Sequence, residues 1–114
     1  EQHEVVVEGM WAVVNEPGGT GGAARIEGFD VAGKTGTAQV VGLGKDVGKN
    51  KDHSWFVSYA PARKPELTMI ALIENVGFGG KFAAPAVHKV YQTYLSRAHP
   101  ELAPRPAAEE MAKR

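Results

Sequence analysis

Hydrophobic positions recur at helical spacing near the start of the chain and again near its end. The first set follows i, i+4, i+7 and i+8: Val6, Met10, Val13 and Val14. Pro17 and the glycines after it end the pattern, so we predict a helix from Glu4 to Asn15. Three consecutive valines are poor helix formers, so tertiary packing must stabilise this element.

The second helical pattern follows the glycine-rich stretch 77–80, which we predict to be a loop. A helix is predicted to begin at Ala84–Pro85, because proline suits a first turn. Its apolar residues fall on one face: Val87, Val90, Tyr91, Tyr94, Leu95 and Ala98. Pro100 ends the pattern, and residues 100–114, rich in proline, alanine and glutamate, are predicted to be a disordered tail.

Between the helices, apolar and polar residues alternate with the period of β-strands. Residues 53–60 place Trp55, Val57 and Tyr59 on one face, and we interpret the two aromatic residues as core. Residues 66–75 are apolar on both faces, which is typical of a covered central strand. The short turn 61–65 joins the two as an antiparallel hairpin.

A third strand is predicted within residues 31–43, before a charged, solvent-exposed loop over 44–52. The fold class is therefore α+β: a helix, a three-stranded antiparallel sheet and a C-terminal helix. Strand 66–75 has one sequence neighbour, although exposed apolar edges are avoided in natural proteins. We infer that a partner strand lies outside this sequence, and we expect self-association of the isolated chain through 66–75.

Composition narrows the classes of partner. The chain has 114 residues, and its thirteen basic and thirteen acidic side chains cancel, so we expect no nucleic-acid partner. No stretch approaches the roughly 20 apolar residues of a membrane span. His53, His88 and His99 fit no ligand spacing, so we expect no metal and no cofactor. The first residue is Glu1, so we expect a piece of a longer protein.

The candidate chemistry lies in the strand that contains Gly33-Lys34-Thr35-Gly36-Thr37-Ala38-Gln39. Lys34 supplies a positive charge, and the Thr35 and Thr37 hydroxyls lie two residues apart on one strand face. Gly36 keeps the backbone open to a ligand. This combination suits an anionic, extended, peptide-like ligand.

Three interpretations of this stretch compete. Residues 28–35 match the phosphate-binding loop pattern G-x-x-x-x-G-K-[ST]. That pattern requires a helix starting at Lys34, whereas the residues after Gly36 favour a strand. Lys-Thr-Gly on a strand is instead one of three motifs of the serine acyl-transferases. An ordinary glycine- and threonine-rich edge strand is the third interpretation.

The order of these elements resembles the C-terminal end of the transpeptidase domain of class B penicillin-binding proteins, over residues 4–98. The strings at 12–20 and 33–40 are most similar to the elongation-type enzyme, penicillin-binding protein 2. The resemblance implies a five-stranded antiparallel sheet between helices. Residues 1–99 would be the C-terminal segment of that domain, with the missing strands beside 66–75.

The resemblance also implies a function: peptidoglycan D,D-transpeptidation, in which an active-site serine attacks the D-Ala-D-Ala bond of a cell-wall stem peptide. Lys34 would be the catalytic motif lysine, and the backbone N–H of Thr37 half of the oxyanion hole. The substrate or a β-lactam would be bound by Lys34, Thr35, Gly36 and Thr37. The hydroxyls of Thr35 and Thr37 would hold its carboxylate. Phe78 would lie near the rim of the cleft.

The chain departs from the family in one large respect. It contains serines only at 54, 58 and 96, and none begins an S-x-x-K or S-x-N motif. The nucleophile and general base are thus absent, and we expect the chain alone to be inactive. Its partners would be the rest of its own transpeptidase domain and, by resemblance, membrane proteins of the elongation machinery. The resemblance also implies a location at the periplasmic face of the inner membrane, where an anchor outside this chain would hold the protein. The alternative is a non-catalytic interaction module that uses the exposed strand edge.

Overall fold

The structure, a computed structural model, describes residues 1–42 and 51–102. Helix α1 (Gln2–Asn15) is followed by a 3-10 turn (Gly22–Ala24) and strands β1 (Ala32–Ala38), β2 (His53–Ala60) and β3 (Leu67–Ile73), and helix α2 (Gly79–Ala98) comes last. The predicted α+β class is confirmed. Most of the predicted charged loop and most of the predicted tail fall outside the described residues.

The three strands form one antiparallel sheet in the order β1-β2-β3. Thr35 on β1 pairs with Phe56 on β2, which pairs with Ala71 on β3. The predicted hairpin between β2 and β3 is confirmed. Its alternation puts Ser54, Phe56, Ser58 and Ala60 on the buried face, against α2.

The core lies between α2 and this face of the sheet. Its buried apolar side chains come from α1, the segment 24–31, β2 and α2: Val14, Ala24, Ile26, Phe29, Val31, Phe56, Ala60, Ala83, Ala84, Val87, Tyr91 and Leu95. Two buried serines hydrogen-bond across the layers. Ser54 Oγ donates to the Phe78 carbonyl at 3.1 Å and accepts the Ala83 N–H at 3.0 Å. Both layers are thereby joined by polar as well as apolar contacts.

Helix α2 begins five residues earlier than predicted, so the predicted start at Ala84–Pro85 is wrong and Pro85 lies inside the helix. Gly79 and Gly80 are poor helix formers, but they form its first turn because it packs directly on β1. The predicted apolar stripe is also only partly buried. Val87, Tyr91 and Leu95 are fully buried, whereas Val90 is 46% exposed.

Helix α1 is confirmed, but its predicted apolar face is wrong at its N-terminal end, where Val6 is 59% exposed. The helix is fixed at its other end. The Asn15 amide donates to the Trp11 carbonyl at 2.9 Å and to the Val31 carbonyl at 2.8 Å. This contact ties the end of α1 to the residue before β1.

The sheet face opposite α2 is largely open. Ile70 is 60% exposed, Leu72 44% and Val57 39%. The interpretation of Trp55 and Tyr59 as core is wrong, because they lie half-buried on this open face. Strand β3 is therefore covered on one side only by the described residues, although its sequence is apolar on both.

Candidate functional site

The Lys-Thr-Gly segment lies on β1, which forms one edge of the described sheet. No helix begins at Lys34. The residues before it form a tight turn, in which Ile26 bridges to Phe29 and Gly28 has a φ of 77°. The phosphate-loop hypothesis is wrong, because both the preceding strand and the following helix are missing.

Thr35 and Thr37 open onto a groove with a volume of about 500 Å³ between β1 and the first turn of α2. The groove is lined by Thr20, Thr35, Thr37, Phe78, Gly79, Gly80 and Lys81. Three threonine hydroxyls surround it, together with a lysine and the positive end of a 20-residue helix dipole. Such surroundings favour a ligand with a negative charge.

The first turn of α2 reaches β1 only because its two leading residues have no side chains. A Cβ atom on Gly79 would overlap the carbonyl oxygens of Gly36 and Trp55. One on Gly80 would overlap the Thr20 carbonyl oxygen. The Gly79 N–H instead donates to Thr37 Oγ1 at 3.5 Å. These glycines set the width of the groove.

Lys34 lies beside this groove rather than in it. Its exposed ammonium donates to the Thr35 carbonyl at 2.9 Å and lines a neighbouring depression of about 440 Å³. The C-terminal half of α1 and the loop 16–20 form the rest of that depression. Thr20 lines both spaces, so it lies at the border between Lys34 and the hydroxyls of Thr35 and Thr37.

Sequence reasoning missed four residues of the groove: Thr20, Gly79, Gly80 and Lys81. Thr20 lies among the glycines that follow the first predicted helix, yet its Oγ1 is 2.8 Å from Thr35 Oγ1. No periodicity could have revealed this pair, since it joins a loop to a strand. Phe78 was expected near a rim, and it is 73% exposed at the mouth of the groove.

A second polar cluster lies where the end of α2 meets the start of β3. Glu66 Oε2 accepts from His99 Nε2 at 2.7 Å and from the Tyr94 hydroxyl at 2.9 Å. The hydrogen bond from His99 lowers the pKa of Glu66, and the bond to Glu66 raises the pKa of His99. His99 Nδ1 also lies 3.3 Å from Glu101 Oε1. This cluster anchors the far end of the helix that lines the groove.

The two other histidines that the sequence offered as metal ligands contact main-chain atoms of the fold. His53 Nδ1 accepts the Asn75 N–H at 3.0 Å, and His88 Nδ1 lies 3.0 Å from the Arg25 carbonyl. Within residues 1–42 and 51–102, no three metal-ligating side chains form a cluster. Over the same residues, neither helix has the length and hydropathy needed to cross a membrane.

Comparison with known proteins identifies the family. The family model described as the penicillin binding protein transpeptidase domain matches residues 1–92. The chain belongs to this family. A relative, the peptidoglycan D,D-transpeptidase MrdA of Haemophilus influenzae, is 39% identical over 108 residues, which are 87% of this chain and 17% of that protein. The chain thus spans about a sixth of that relative's length.

Solved structures of penicillin-binding proteins show the same fold. Pseudomonas aeruginosa PBP2 in complex with WCK 5153 matches with a TM-score of 0.69 and 33% identity, over 91% of this chain and 21% of that one. PBP3 of Mycobacterium tuberculosis, complexed with ampicillin, matches with a TM-score of 0.68 and 29% identity, over 89% and 25%. The resemblance to penicillin-binding proteins, and to PBP2 among them, is confirmed.

Proposed function

We propose that this chain forms the substrate-binding wall of a peptidoglycan D,D-transpeptidase, which cross-links cell-wall stem peptides through an acyl-serine intermediate and also binds β-lactams. The observation that carries the proposal is the groove in which the Thr35 and Thr37 hydroxyls face the first turn of α2. A carboxylate there would receive hydroxyl donors and lie at a positive helix end. Both β-lactams and the D-Ala-D-Ala terminus carry such a carboxylate.

The individual roles follow from position on β1. Thr35 and Thr37 hold the carboxylate, and Gly36 between them leaves the strand open to the substrate backbone. The backbone N–H of Thr37 serves as half of the oxyanion hole, a role that depends on position rather than on the side chain. Lys34 is exposed in the depression beside the groove, where its charge can act on the reacting groups of the complete site.

The nucleophile in this proposal comes from a part of the protein outside this chain. Ser54 and Ser58 are buried and hydrogen-bonded within the core. Ser96 donates to the Gln92 carbonyl on α2. None of the three lines the groove. We therefore expect the isolated chain to show no acyl transfer.

The open sheet face supports the proposal that the rest of a transpeptidase domain packs against this chain. Ile70, Leu72 and Val57 form an apolar surface there, and the outer edge of β3 has no neighbouring strand among the described residues. The same surface favours a second candidate, an interaction module that pairs through β3. By the family relationship, the complete enzyme would act in the periplasm, anchored in the inner membrane beside other elongation proteins.

Covalent labelling by a fluorescent penicillin tests the proposal in the full-length protein that contains this chain. Wild-type protein is expected to label at its nucleophilic serine, and Lys34→Ala is expected to abolish labelling. Lys89→Ala, which removes an exposed lysine from α2, is the control and should label like wild type. Folded wild-type protein that never labels would overturn the proposal and leave the interaction module in its place.

A further inference from the structure

Thr20 contacts both elements that form the groove, β1 and the first turn of α2. Its Oγ1 lies 2.8 Å from Thr35 Oγ1 on β1, and its carbonyl oxygen contacts Gly80 in the first turn of α2. It lines the groove together with Thr37, and it also lines the depression that contains Lys34. Thr20 therefore lies among the polar side chains of the candidate site and hydrogen-bonds one of them, Thr35.

The loop that carries Thr20 is fixed by backbone hydrogen bonds on both sides of it. The Gly19 N–H donates to the Glu16 carbonyl at 3.1 Å, and the Gly21 N–H donates to the Val13 carbonyl at 2.9 Å. Gly21 is buried, and a Cβ atom there would lie 2.8 Å from the Phe56 ring. Thr20 is thus held in place from α1 and from the core, although its side chain is exposed to solvent.

The hydrogen-bonding capacity of a hydroxyl decides which threonine is the donor in the contact between Thr20 and Thr35 when a ligand is bound. Each threonine has one O–H to donate and two lone pairs that accept. If Thr35 gives its proton to a ligand carboxylate, the contact with Thr20 can form only if Thr20 donates to the Thr35 oxygen. A hydroxyl that accepts a hydrogen bond is also a better donor, because hydrogen bonds in a chain polarise one another.

We propose that Thr20 is a positioning residue of the transpeptidase site: its hydroxyl donates to Thr35 and so directs the Thr35 proton toward the carboxylate of the stem peptide or β-lactam. This inference rests on the function proposed above. It predicts that removing the Thr20 hydroxyl weakens acylation through Thr35, while the groove and its other residues remain in place.

The test uses the full-length protein and the second-order rate constant of its acylation by a fluorescent penicillin. Thr20→Val, which keeps the shape but removes the hydroxyl, should lower this constant roughly three- to tenfold, the effect of one hydrogen bond. Thr20→Ser should restore it to within about twofold of wild type. Thr93→Val is the control, since Thr93 donates to the Lys89 carbonyl on α2 and does not line the groove, and it should react like wild type.

A double-mutant cycle separates positioning from a general structural effect. In protein that already carries Thr35→Val, adding Thr20→Val should change the rate constant by less than about twofold, because the hydroxyl it orients is gone. Rates are expressed per penicillin-titratable site, so partial unfolding does not imitate the effect. Should Thr20→Val not fold, Thr20→Ala, with a smaller side chain at this exposed position, takes its place in the cycle.

The outcomes separate this inference from the function on which it rests. Wild-type protein that never acylates overturns the proposed function. Wild-type protein that acylates, together with a Thr20→Val protein that reacts equally fast, overturns only the role of Thr20. The role of Thr20 is also overturned if the effects of Thr20→Val and Thr35→Val on the rate constant simply multiply in the double variant.

Discussion

The backbone N–H of Gly79 lies 3.5 Å from the hydroxyl oxygen of Thr37, so the first turn of α2 contacts the strand that carries the candidate site. The contact is close enough that Gly79 has no room for a side chain, because the carbonyl oxygens of Gly36 and Trp55 occupy the position of its Cβ. Packing of the helix and the shape of the groove therefore depend on the same residue.

Gly79→Ala is expected to destabilise the protein by about 1–3 kcal/mol, since the added methyl group forces the first turn of α2 away from β1. Chemical denaturation gives the free energy of unfolding. Gly22→Ala is the matched control, because a Cβ atom there has nothing within 4 Å, and it should change stability by less than about 0.5 kcal/mol. Equal stabilities for the two variants would contradict the close approach of Gly79 to β1.

The buried pair Ser58 and Tyr91 gives a second prediction. Ser58 Oγ lies 3.0 Å from the Tyr91 hydroxyl and 3.2 Å from the Met69 carbonyl. Ser58→Ala leaves the Tyr91 hydroxyl buried without this partner, at a cost of about 1–3 kcal/mol. Tyr91→Phe leaves Ser58 its bond to Met69, so its cost should be nearer 1 kcal/mol.

Urea unfolding of both variants checks this order. The reverse order, with Tyr91→Phe clearly the more damaging, would show that the shared hydrogen bond is not what stabilises this part of the core. The pKa of Tyr91 should also be high, because burial disfavours its phenolate. Its absorbance should therefore titrate above that of a free tyrosine.

The cluster around Glu66 predicts how stability depends on pH. The pKa of His99 is raised above its ordinary 6.5, so its contribution is complete below pH 6.5 and is lost as pH rises through the folded-state value. The pKa of Glu66 is lowered below 4.5, so its contribution is present above pH 4.5 and is lost on further acidification. The cluster should stabilise the fold most between these two values.

Melting temperatures measured from about pH 5 to about pH 8 test the upper limit of this window, which His99 sets. Wild-type protein should lose stability above pH 6.5, and His99→Gln should remove that part of the dependence. His3→Gln, at an exposed position on α1, is the control and should leave it in place. An unchanged pH profile in His99→Gln would mean that this ion pair contributes nothing measurable to stability, which is true of many exposed ion pairs.

The exposed sheet face predicts the behaviour of the isolated chain in solution. Its apolar surface and the edge of β3, which has no neighbouring strand within residues 1–42 and 51–102, should cause self-association, which light scattering at increasing concentration detects. Ile70→Lys should reduce it, because it places a charge on a side chain that is 60% exposed, with little effect on the fold itself. Thr93→Lys on α2 is the control. A wild-type monomer at high concentration would contradict the prediction.

The sequence was sufficient for the elements whose pattern is local. Strand 53–60 and the hairpin with β3 followed from period-two alternation and a short proline turn, and they are confirmed. The start of α2 was not predictable in this way, because Gly79 and Gly80 become helical only through packing on β1. The exposure of Val6 was missed for a related reason, since periodicity identifies an apolar face without showing what covers it.

The residues of the candidate site that lie within one sequence motif were predictable. Those that come from other segments of the chain were not. Lys34, Thr35 and Thr37 stand together in the sequence, so their proximity needed no structure. Thr20 and Gly79 reach the same place from a loop and from a helix. Only the tertiary fold brings them there, and neither has a local sequence signal for that position.

The two walls of the groove are far apart in the sequence, and this separation has a consequence for biosynthesis. The contact between Thr37 and Gly79 spans 42 residues, and the whole β2–β3 hairpin lies between its partners. On the ribosome, the strand with the Lys-Thr-Gly segment emerges long before the helix that completes its binding surface. A nascent chain halted inside the hairpin would carry the motif but no groove, so the groove is complete only after α2 has emerged.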